Sequence, residues 1–224
     1  MTESAALACR GLAIRFGETD VLRDFSLEVS QGQTVALLGP SGSGKTSLLY
    51  AIAGLLDPHA GEIEIDGHIV SGGGVAVAPE DRSIGMVFQN YALWPHLSAV
   101  QTVAYPLERR GMSSFEARQR ALSLLGRVGI ADLADRLPDQ MSGGQQQRVG
   151  LARALAVQPA LYLFDEPTAH LDAALRDDLQ QELVAQSDAA ALYTTHDATE
   201  ALAVADQVAV LHDGTVAQVG SPRE

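Results

Sequence analysis

A glycine-rich loop directly after a short apolar run constrains this chain more than any other stretch. The run is Thr34–Leu38, and residues 39–47 follow it with the sequence GPSGSGKTS. The loop matches G-x-x-x-x-G-K-[ST], in which backbone N–H groups cradle phosphates, the lysine reaches the terminal phosphates and the hydroxyl holds Mg²⁺. The sequence therefore predicts a strand, a phosphate-binding turn and a helix, in that order.

Lys45 is the only lysine in the sequence, since every other basic side chain in the Lys+Arg count of 15 is an arginine. A lysine carries a compact ammonium group, whereas arginine carries a wide planar fork that a tight phosphate cradle does not accept. The helix predicted after the loop runs from Ser47 to a C-cap at Gly54, so a phosphate would lie at its N-terminus. We therefore predict nucleotide triphosphate binding by Gly39, Pro40, Ser41, Gly42, Ser43, Gly44, Lys45, Thr46 and Ser47.

Length, charge and cysteine content exclude several classes of protein. A chain of 224 residues is expected to form one α/β domain with a smaller lobe. Its formal net charge of −13 argues against a nucleic-acid partner, because binding to phosphate backbones needs a basic face. The single cysteine, Cys9, excludes an intrachain disulfide and is expected in the core.

Hydropathy predicts residence in the cytoplasm. No apolar run approaches the roughly 18 residues that a membrane-spanning helix needs. The start contains Glu3 and lacks the basic region of a secretory signal. We therefore expect a chain that does not cross a membrane by itself.

Alternating apolar and polar residues at 7–16 and 25–29 predict an antiparallel start. Phe16, at the end of the first run, could stack on a nucleobase or pack in the core. Residues 62–67 also alternate before an Asp-Gly turn. The glycine-rich residues 71–74 lack a lysine and a following helix, so they are interpreted as a flexible loop.

The pattern becomes helical between Gln89 and Gln158, which indicates a helical lobe set into the α/β core. A short buried strand at 84–88 delivers Gln89 to the end of a sheet where α/β proteins place functional groups. Ser113 and Glu116 match a capping box. The apolar face expected for the helix that follows consists of Phe115, Leu122, Leu125 and Val128.

Ser142 and Gln145 form a second capping box, for a helix through Val149. A cap does not require the intervening Gly143 and Gly144, which let a backbone approach an anion closely. One nucleotide rarely meets two phosphate-facing helix N-termini within a small fold. Two subunits that face each other would remove this difficulty.

The apolar strand 161–164 ends in Asp165 and Glu166. Asp165 could accept from a Mg²⁺-bound water beside Thr46, while Glu166 could orient and polarise an attacking water. The alternative is that both carboxylates only cap a turn, which the coexistence with Lys45 makes the weaker interpretation.

A further apolar run at 189–195 ends in His196, which could donate to a γ-phosphate. Asp197 with Glu200 could cap the next helix. The last two apolar runs, at 208–211 and 215–219, flank an Asp-Gly turn and predict a hairpin.

Together these motifs resemble the ATP-binding cassette (ABC) ATPases over essentially the whole chain. The signature at 142–145 after Gln89 is the specific part, because kinases and GTPases share the lysine loop. The resemblance implies an α/β fold: a P-loop NTPase (RecA-like) core with an antiparallel β subdomain and an inserted α-helical subdomain. Residues 1–224 would form one ABC ATPase domain, with the core at 1–89 and 157–224 and the helical subdomain at 90–156.

The resemblance also implies a role for each matching residue. Residues 39–46 look like the Walker A loop and 142–145 like the signature. The implied catalytic residues are Glu166, His196, Lys45 and Gln89, and the implied Mg²⁺ contacts are Thr46, Gln89 and Asp165. Phe16 falls where the family stacks adenine, and Asp172 is the D-loop aspartate, so both join Ser142, Gly143, Gly144 and Gln145 as nucleotide-binding residues.

The family further implies a head-to-tail dimer that holds ATP between the Walker A face of one protomer and the signature of the other. Residues 87–97 look like those of importers for iron, polyamines, thiamine or sugars, which work with membrane permease subunits and a solute-binding protein. The helical lobe around Gln89 to Pro106 would receive coupling helices from the permease. This places the chain peripherally at the cytoplasmic face of the cell membrane.

Three positions depart from the family pattern. Met141 stands where leucine is usual, which conserves volume. Ala169 and His170 replace the usual Ser-Ala of the D-loop and bring a titratable group near the expected dimer seam. A non-transport ABC ATPase and a P-loop phosphotransferase remain alternatives.

Overall fold

The computed structural model of the chain describes residues 5–167 and 189–222, which form two compact units. The first unit contains the described residues 5–84, 160–166 and 189–222, and the second contains 85–159 with Pro167. Strand β7 (Ile84–Val87) crosses from the first unit into the second. Asp172, Ala169 and His170 lie outside the described residues.

An antiparallel sheet forms one part of the first unit. Its strands follow the order β2-β1-β4-β5-β6, and β1 pairs antiparallel with both β2 and β4, so the predicted antiparallel start is confirmed. Cys9 lies in β1, where it is 1% exposed and burial raises the pKa of its thiol to about 12. The strands are β1 (Ala5–Phe16), β2 (Thr19–Ser30), β4 (Ala60–Ile65), β5 (His68–Gly72) and β6 (Val75–Ala76).

The interpretation of residues 71–74 as a flexible loop is wrong. Ser71 pairs with Ala76 and Gly72 with Val75, so the segment is a hairpin. Gly73 and Gly74 turn the chain at φ angles of 59° and 87°. Two consecutive left-handed residues match the twist of an antiparallel pair, which explains why glycines stand there.

Parallel strands form the other layer of the first unit. Five strands lie side by side in the order β11-β10-β3-β9-β8, and β10, β3, β9 and β8 are parallel. Every residue of β8 and β9 is buried, as the apolar runs predicted. The predicted C-terminal hairpin is confirmed, because β11 pairs antiparallel with β10. These strands are β3 (Thr34–Leu38), β8 (Leu161–Asp165), β9 (Ala190–Thr195), β10 (Gln207–His212) and β11 (Thr215–Gly220).

Two described helices belong to the first unit, α1 (Lys45–Ala53) and α5 (Ala198–Val204). The second unit contains α2 (Ala99–Arg109), α3 (Ser114–Arg127) and α4 (Gly143–Ala156). Three-residue 3₁₀ turns lie at Pro79–Asp81, Ala131–Leu133 and Pro138–Gln140. Within the described residues, we find no helix with the length and apolar character to cross a bilayer.

The buried face of α3 differs from the prediction. Ser113 caps the helix and completes the predicted capping box with Glu116. Phe115, however, is 73% exposed, and the helix buries Ala117, Ala121, Leu124 and Leu125. Residues two apart on a helix point about 200° away from each other, so burial of Ala117 turns Phe115 outward.

Candidate functional site

The site lies at one edge of the parallel strands. Since β3, β9 and β8 are neighbours and parallel, their carboxyl ends meet there. The chain leaves β3 into the loop at 39–44, leaves β8 at Glu166, and leaves β9 at His196. Three segments that are far apart in the sequence are thereby placed together.

The loop after β3 depends on glycine at two points. A Cβ atom on Gly39 would lie 2.7 Å from the Leu211 carbonyl oxygen and 2.7 Å from the Ser43 hydroxyl oxygen. Gly44, the N-cap of α1, adopts a φ of 105°. The loop therefore wraps tightly onto the helix N-terminus, and α1 ends as predicted at a left-handed Gly54.

The fit of this loop to a phosphate rests on its unused polar groups. The Ser43 hydroxyl is buried and has no hydrogen-bond partner among the described residues. No side chain caps the N-terminus of α1. Unpaired N–H groups at a helix N-terminus favour an anion, so the residues at 39–47 fit a phosphate.

Lys45 lies at the centre of the site and is only 4% exposed. Its Nζ atom donates to the carbonyl oxygens of Gly39, at 2.8 Å, and Pro40, at 3.0 Å. The same atom lies 3.4 Å from Oε1 of Glu166. The lysine therefore joins the glycine-rich loop to the carboxylate at the end of β8.

Thr46 and Asp165 form the oxygen-rich part of the site. The Thr46 hydroxyl donates to Oδ1 of Asp165 at 3.0 Å, and the Thr194 hydroxyl donates to the same oxygen at 3.1 Å. Asp165 is 1% exposed, and burial raises the pKa of its carboxyl while the two hydroxyls oppose that rise. A hydroxyl and a carboxylate are the hard oxygen ligands that Mg²⁺ prefers, so these residues fit magnesium.

Glu166 lies between Lys45 and His196. Its Oε2 atom is 3.4 Å from Nδ1 of His196, whose side chain is 57% exposed. Its backbone N–H donates to the carbonyl oxygen of Thr194 at 3.2 Å and to the Thr194 hydroxyl at 3.1 Å. Its φ of 44° is uncommon for a residue with a side chain and marks backbone held in place by its surroundings.

Sequence reasoning missed Thr194 as a member of the site. The residue is fully buried in β9, opposite Asp165 of β8. Its hydroxyl contacts both carboxylate-bearing residues, Asp165 and Glu166. The only signal was a pair of threonines ending an apolar run before His196, which does not indicate the neighbouring strand.

Phe16 ends β1 with 54% of its surface exposed. Of the two interpretations left open by the sequence, packing in the core is therefore wrong. An exposed aromatic ring remains available for stacking on a nucleobase.

The second unit carries the remaining candidate residues. Ser142 caps α4, and the predicted box is confirmed: the Gln145 side chain accepts from the Ser142 N–H at 2.9 Å, and the Ser142 hydroxyl accepts from the Gln145 N–H at 3.3 Å. Gly143 lies beside Tyr91, because a Cβ atom on it would be 3.3 Å from the Tyr91 hydroxyl. Gln89 lies between β7 and α2.

Known proteins resemble this chain closely. A family profile described as ABC transporter matches residues 22–169. The Fe(3+) ions import ATP-binding protein FbpC of Escherichia coli (strain K12) is 44% identical over 227 residues, which cover 100% of this chain and 64% of that protein. The Fe(3+) ions import ATP-binding protein FbpC 1 of Rhizobium meliloti (strain 1021) is 46% identical over 218 residues, covering 96% and 61%. This chain therefore spans less than two thirds of the length of these curated relatives.

A solved structure shares the fold. It is the dimeric structure of a post-hydrolysis state of the ATP-binding cassette MJ0796 bound to ADP and Pi. The TM-score is 0.87 at 32% sequence identity, and the match covers 97% of this chain and 99% of that chain. The expected architecture, a P-loop core with two sheets and added helices, is thereby confirmed.

Proposed function

Because this chain belongs to the ABC transporter family and has the fold of an ABC ATPase, we propose that it binds and hydrolyses ATP to drive solute import. The observation that carries this proposal is the cluster of Lys45, Glu166 and His196 beside the Thr46–Asp165 hydrogen bond. Nucleotide binding without hydrolysis would require only the loop at 39–47. Hydrolysis also requires a group that activates water, and a carboxylate held between a lysine and a histidine provides it.

Each residue of the cluster has a distinct task in the proposed reaction. The Glu166 carboxylate orients a water molecule and polarises it for in-line attack on the γ-phosphorus. Lys45 and His196 neutralise charge that develops on the phosphate oxygens. Thr46 and Asp165, with Gln89, would hold Mg²⁺, which when bound offsets phosphate charge. Phe16 stacks on the adenine ring.

The signature residues complete the site from a second copy of the chain. Ser142, Gly143, Gly144 and Gln145 begin α4 in the second unit, where their N–H groups suit an anion. We propose that they contact the ATP bound by the partner's loop, in a head-to-tail dimer to which Asp172 also contributes. The dimeric form of the MJ0796 cassette supports the formation of a dimer.

Membrane permease subunits are the proposed partners of the second unit, taken as the helical subdomain at 90–156. A groove of about 300 Å³ is lined there by residues of α2 and α3, including Val100, Ala104 and Tyr105. Gln101, Glu108 and Arg118 lie beside these apolar residues, so the groove suits an inserted amphipathic partner helix. The chain would therefore lie at the cytoplasmic face of the membrane and serve a solute-binding protein indirectly. The names of its relatives make ferric iron the first solute to test.

Complementation between two inactive variants tests the composite site. Lys45→Ala removes the loop's cation, and Ser142→Asp keeps a good helix cap while facing the phosphate with a negative charge. Each variant alone should lose hydrolysis. Mixed in equal amounts, they should regain about a quarter of wild-type activity, because random pairing leaves one intact site in each mixed dimer.

A matched control and two outcomes separate the alternatives. Ser113→Asp makes the same change at the N-cap of α3 and should leave hydrolysis unchanged. A mixture as inactive as its components would mean that Lys45 and Ser142 act within one chain, as a phosphotransferase would require. Hydrolysis without any association with hydrophobic membrane subunits on purification from cells would favour a non-transport ABC ATPase.

A further inference from the structure

The chain around His196 is anchored differently from what its sequence predicts. Asp197 caps α5 as expected, since its Oδ1 accepts from the N–H groups of Thr199, at 2.8 Å, and Glu200, at 3.4 Å. Glu200, in contrast, does not close a capping box by accepting from the Asp197 N–H. That N–H donates at 3.0 Å to the hydroxyl of Thr195, and Glu200 is buried instead.

The Glu200 carboxylate receives two hydroxyl groups from β9. The Tyr193 hydroxyl donates to Oε1 at 2.5 Å, and the Thr195 hydroxyl donates to Oε2. Tyr193 is fully buried, Thr195 is 2% exposed and Glu200 is 6% exposed. Among the described residues, no basic side chain forms an ion pair with Glu200. Burying a carboxylate is costly unless donors satisfy it, so this network holds one geometry firmly.

The network holds the residues on both sides of His196 in the chain. Thr195 and Asp197 are its two neighbours in the chain, and the Thr195 hydroxyl links them by donating to Glu200 and accepting from Asp197. The Thr195 carbonyl oxygen also accepts from the Gly39 N–H at 3.3 Å, which joins the same point to the glycine-rich loop. The backbone that carries the histidine is therefore fixed relative to the loop.

We infer that Glu200 is a positioning residue for hydrolysis, acting through Thr195 to hold His196 against Glu166. The inference rests on the proposed function, because it assigns a role within that reaction. Among the described contacts, Glu200 touches neither Lys45 nor the Glu166 carboxylate. Its contribution depends on the 3.4 Å approach of His196 Nδ1 to Glu166 Oε2.

Kinetics of the full chain test this role through Thr195→Val, which removes the hydroxyl and keeps the shape of the side chain. We expect kcat to fall about tenfold or more while KM for ATP stays within about twofold, since the loss falls on the chemical step. Thr195→Ser should restore most of the rate. Thr102→Val removes another buried hydroxyl, in α2 of the second unit, and should leave kcat unchanged.

A double-mutant cycle distinguishes positioning from general stability. If Glu200 acts through His196, then adding Glu200→Gln or Thr195→Val to His196→Ala should lower kcat no further than His196→Ala alone. Multiplied effects, or a fall in melting temperature that accounts for the whole loss, would overturn the inference. If a Glu200 variant does not fold, Tyr193→Phe, the mildest change to the network, takes its place in the cycle.

The same kinetic experiment distinguishes failure of the proposed ATPase function from failure of this inference. Absence of ATP hydrolysis by the wild-type chain would overturn both the proposed function and this inference. Normal wild-type hydrolysis with an unaffected His196→Ala variant would overturn the positioning role and leave the ATPase proposal standing.

Discussion

The Thr46 hydroxyl donates to Oδ1 of Asp165 across 3.0 Å, although 119 residues separate the two in the chain. Thr194 donates to the same oxygen from the neighbouring strand. Both hydrogen bonds use one carboxylate oxygen, so the other is free of them. An asparagine at this position could keep both bonds through its amide oxygen.

Asp165→Asn should therefore stabilise the chain in the absence of nucleotide. Burial is the largest cause of the raised pKa of Asp165, so its ionised form is disfavoured in the folded state. We expect the melting temperature to rise at pH 7, by roughly 2–4 °C for each 1 kcal/mol that the substitution adds to the stability of a chain of this size. With Mg²⁺ and ATP added, the wild type should gain thermal stability and the variant should gain little.

The pH dependence of that difference follows from linkage. A carboxyl with a raised folded pKa binds its proton more tightly when folded, so ionisation lowers the free energy of unfolding as pH rises above the ordinary value of 3.8. The advantage of Asp165→Asn should therefore be present at neutral pH and vanish below about pH 4. An advantage that persists unchanged in acid would contradict this explanation.

Lys45→Arg should weaken nucleotide binding even though it keeps the positive charge. The ammonium group is 4% exposed and already lies within 3.0 Å of two carbonyl oxygens, which leaves no room for a planar guanidinium. We expect ATP affinity to fall at least about tenfold, as for Lys45→Met. Fluorescent-nucleotide titration measures this, and affinity near that of the wild type would show that charge alone suffices.

Glu166→Gln should trap an ATP-bound dimer. The amide keeps the size of the side chain but cannot accept the proton of an attacking water, so kcat should fall by about 10²-fold or more. Sedimentation should show a monomer without nucleotide and a dimer with ATP and Mg²⁺. Rapid turnover by this variant would remove Glu166 from its assigned role.

Arg153→Lys should loosen the segment that follows Gln89. The Arg153 guanidinium donates to the carbonyl oxygens of Ala92, at 2.6 Å, and Tyr91, at 3.1 Å, and lies 5.5 Å from the ring centre of Trp94. Burial lowers its pKa to about 10. Tyr91 and Ala92 have left-handed φ angles of 62° and 44°, so they need such support.

A lysine cannot span both carbonyl groups or stack in the same way, and we expect a loss of about 1–2 kcal/mol in stability. Hydrogen exchange of the amides at 88–94 should rise. The matched control is Arg118→Lys, at an exposed ion pair with Asp135, which should change stability by less than about 0.5 kcal/mol. Equal effects at both arginines would contradict a specific role for Arg153.

Local patterns explain why much of the fold could be predicted. The capping boxes at Ser113 and Ser142 form as expected, because a cap involves residues only three apart. The buried strands β8 and β9 follow from unbroken apolar runs. The prediction of the buried face of α3 was partly wrong. Phe115 fits the helical period, but it lies in the first turn on the side opposite the buried Ala117.

The sequence by itself determined which chemistry the chain can perform. The loop at 39–47, the Asp165–Glu166 pair and His196 carry the required groups, and their local contexts are strand ends and helix starts. Only the tertiary structure decided how these groups are held: the Thr194 hydroxyl bonds the Asp165 carboxylate and the Glu166 backbone N–H, and Glu200 is turned inward to Tyr193 and Thr195 instead of toward its own helix cap. The reason is how neighbouring elements pack. The register of β8 against β9 sets the contacts of Thr194, while the packing of α5 on β9 sets those of Glu200, and no local sequence pattern encodes which elements become neighbours.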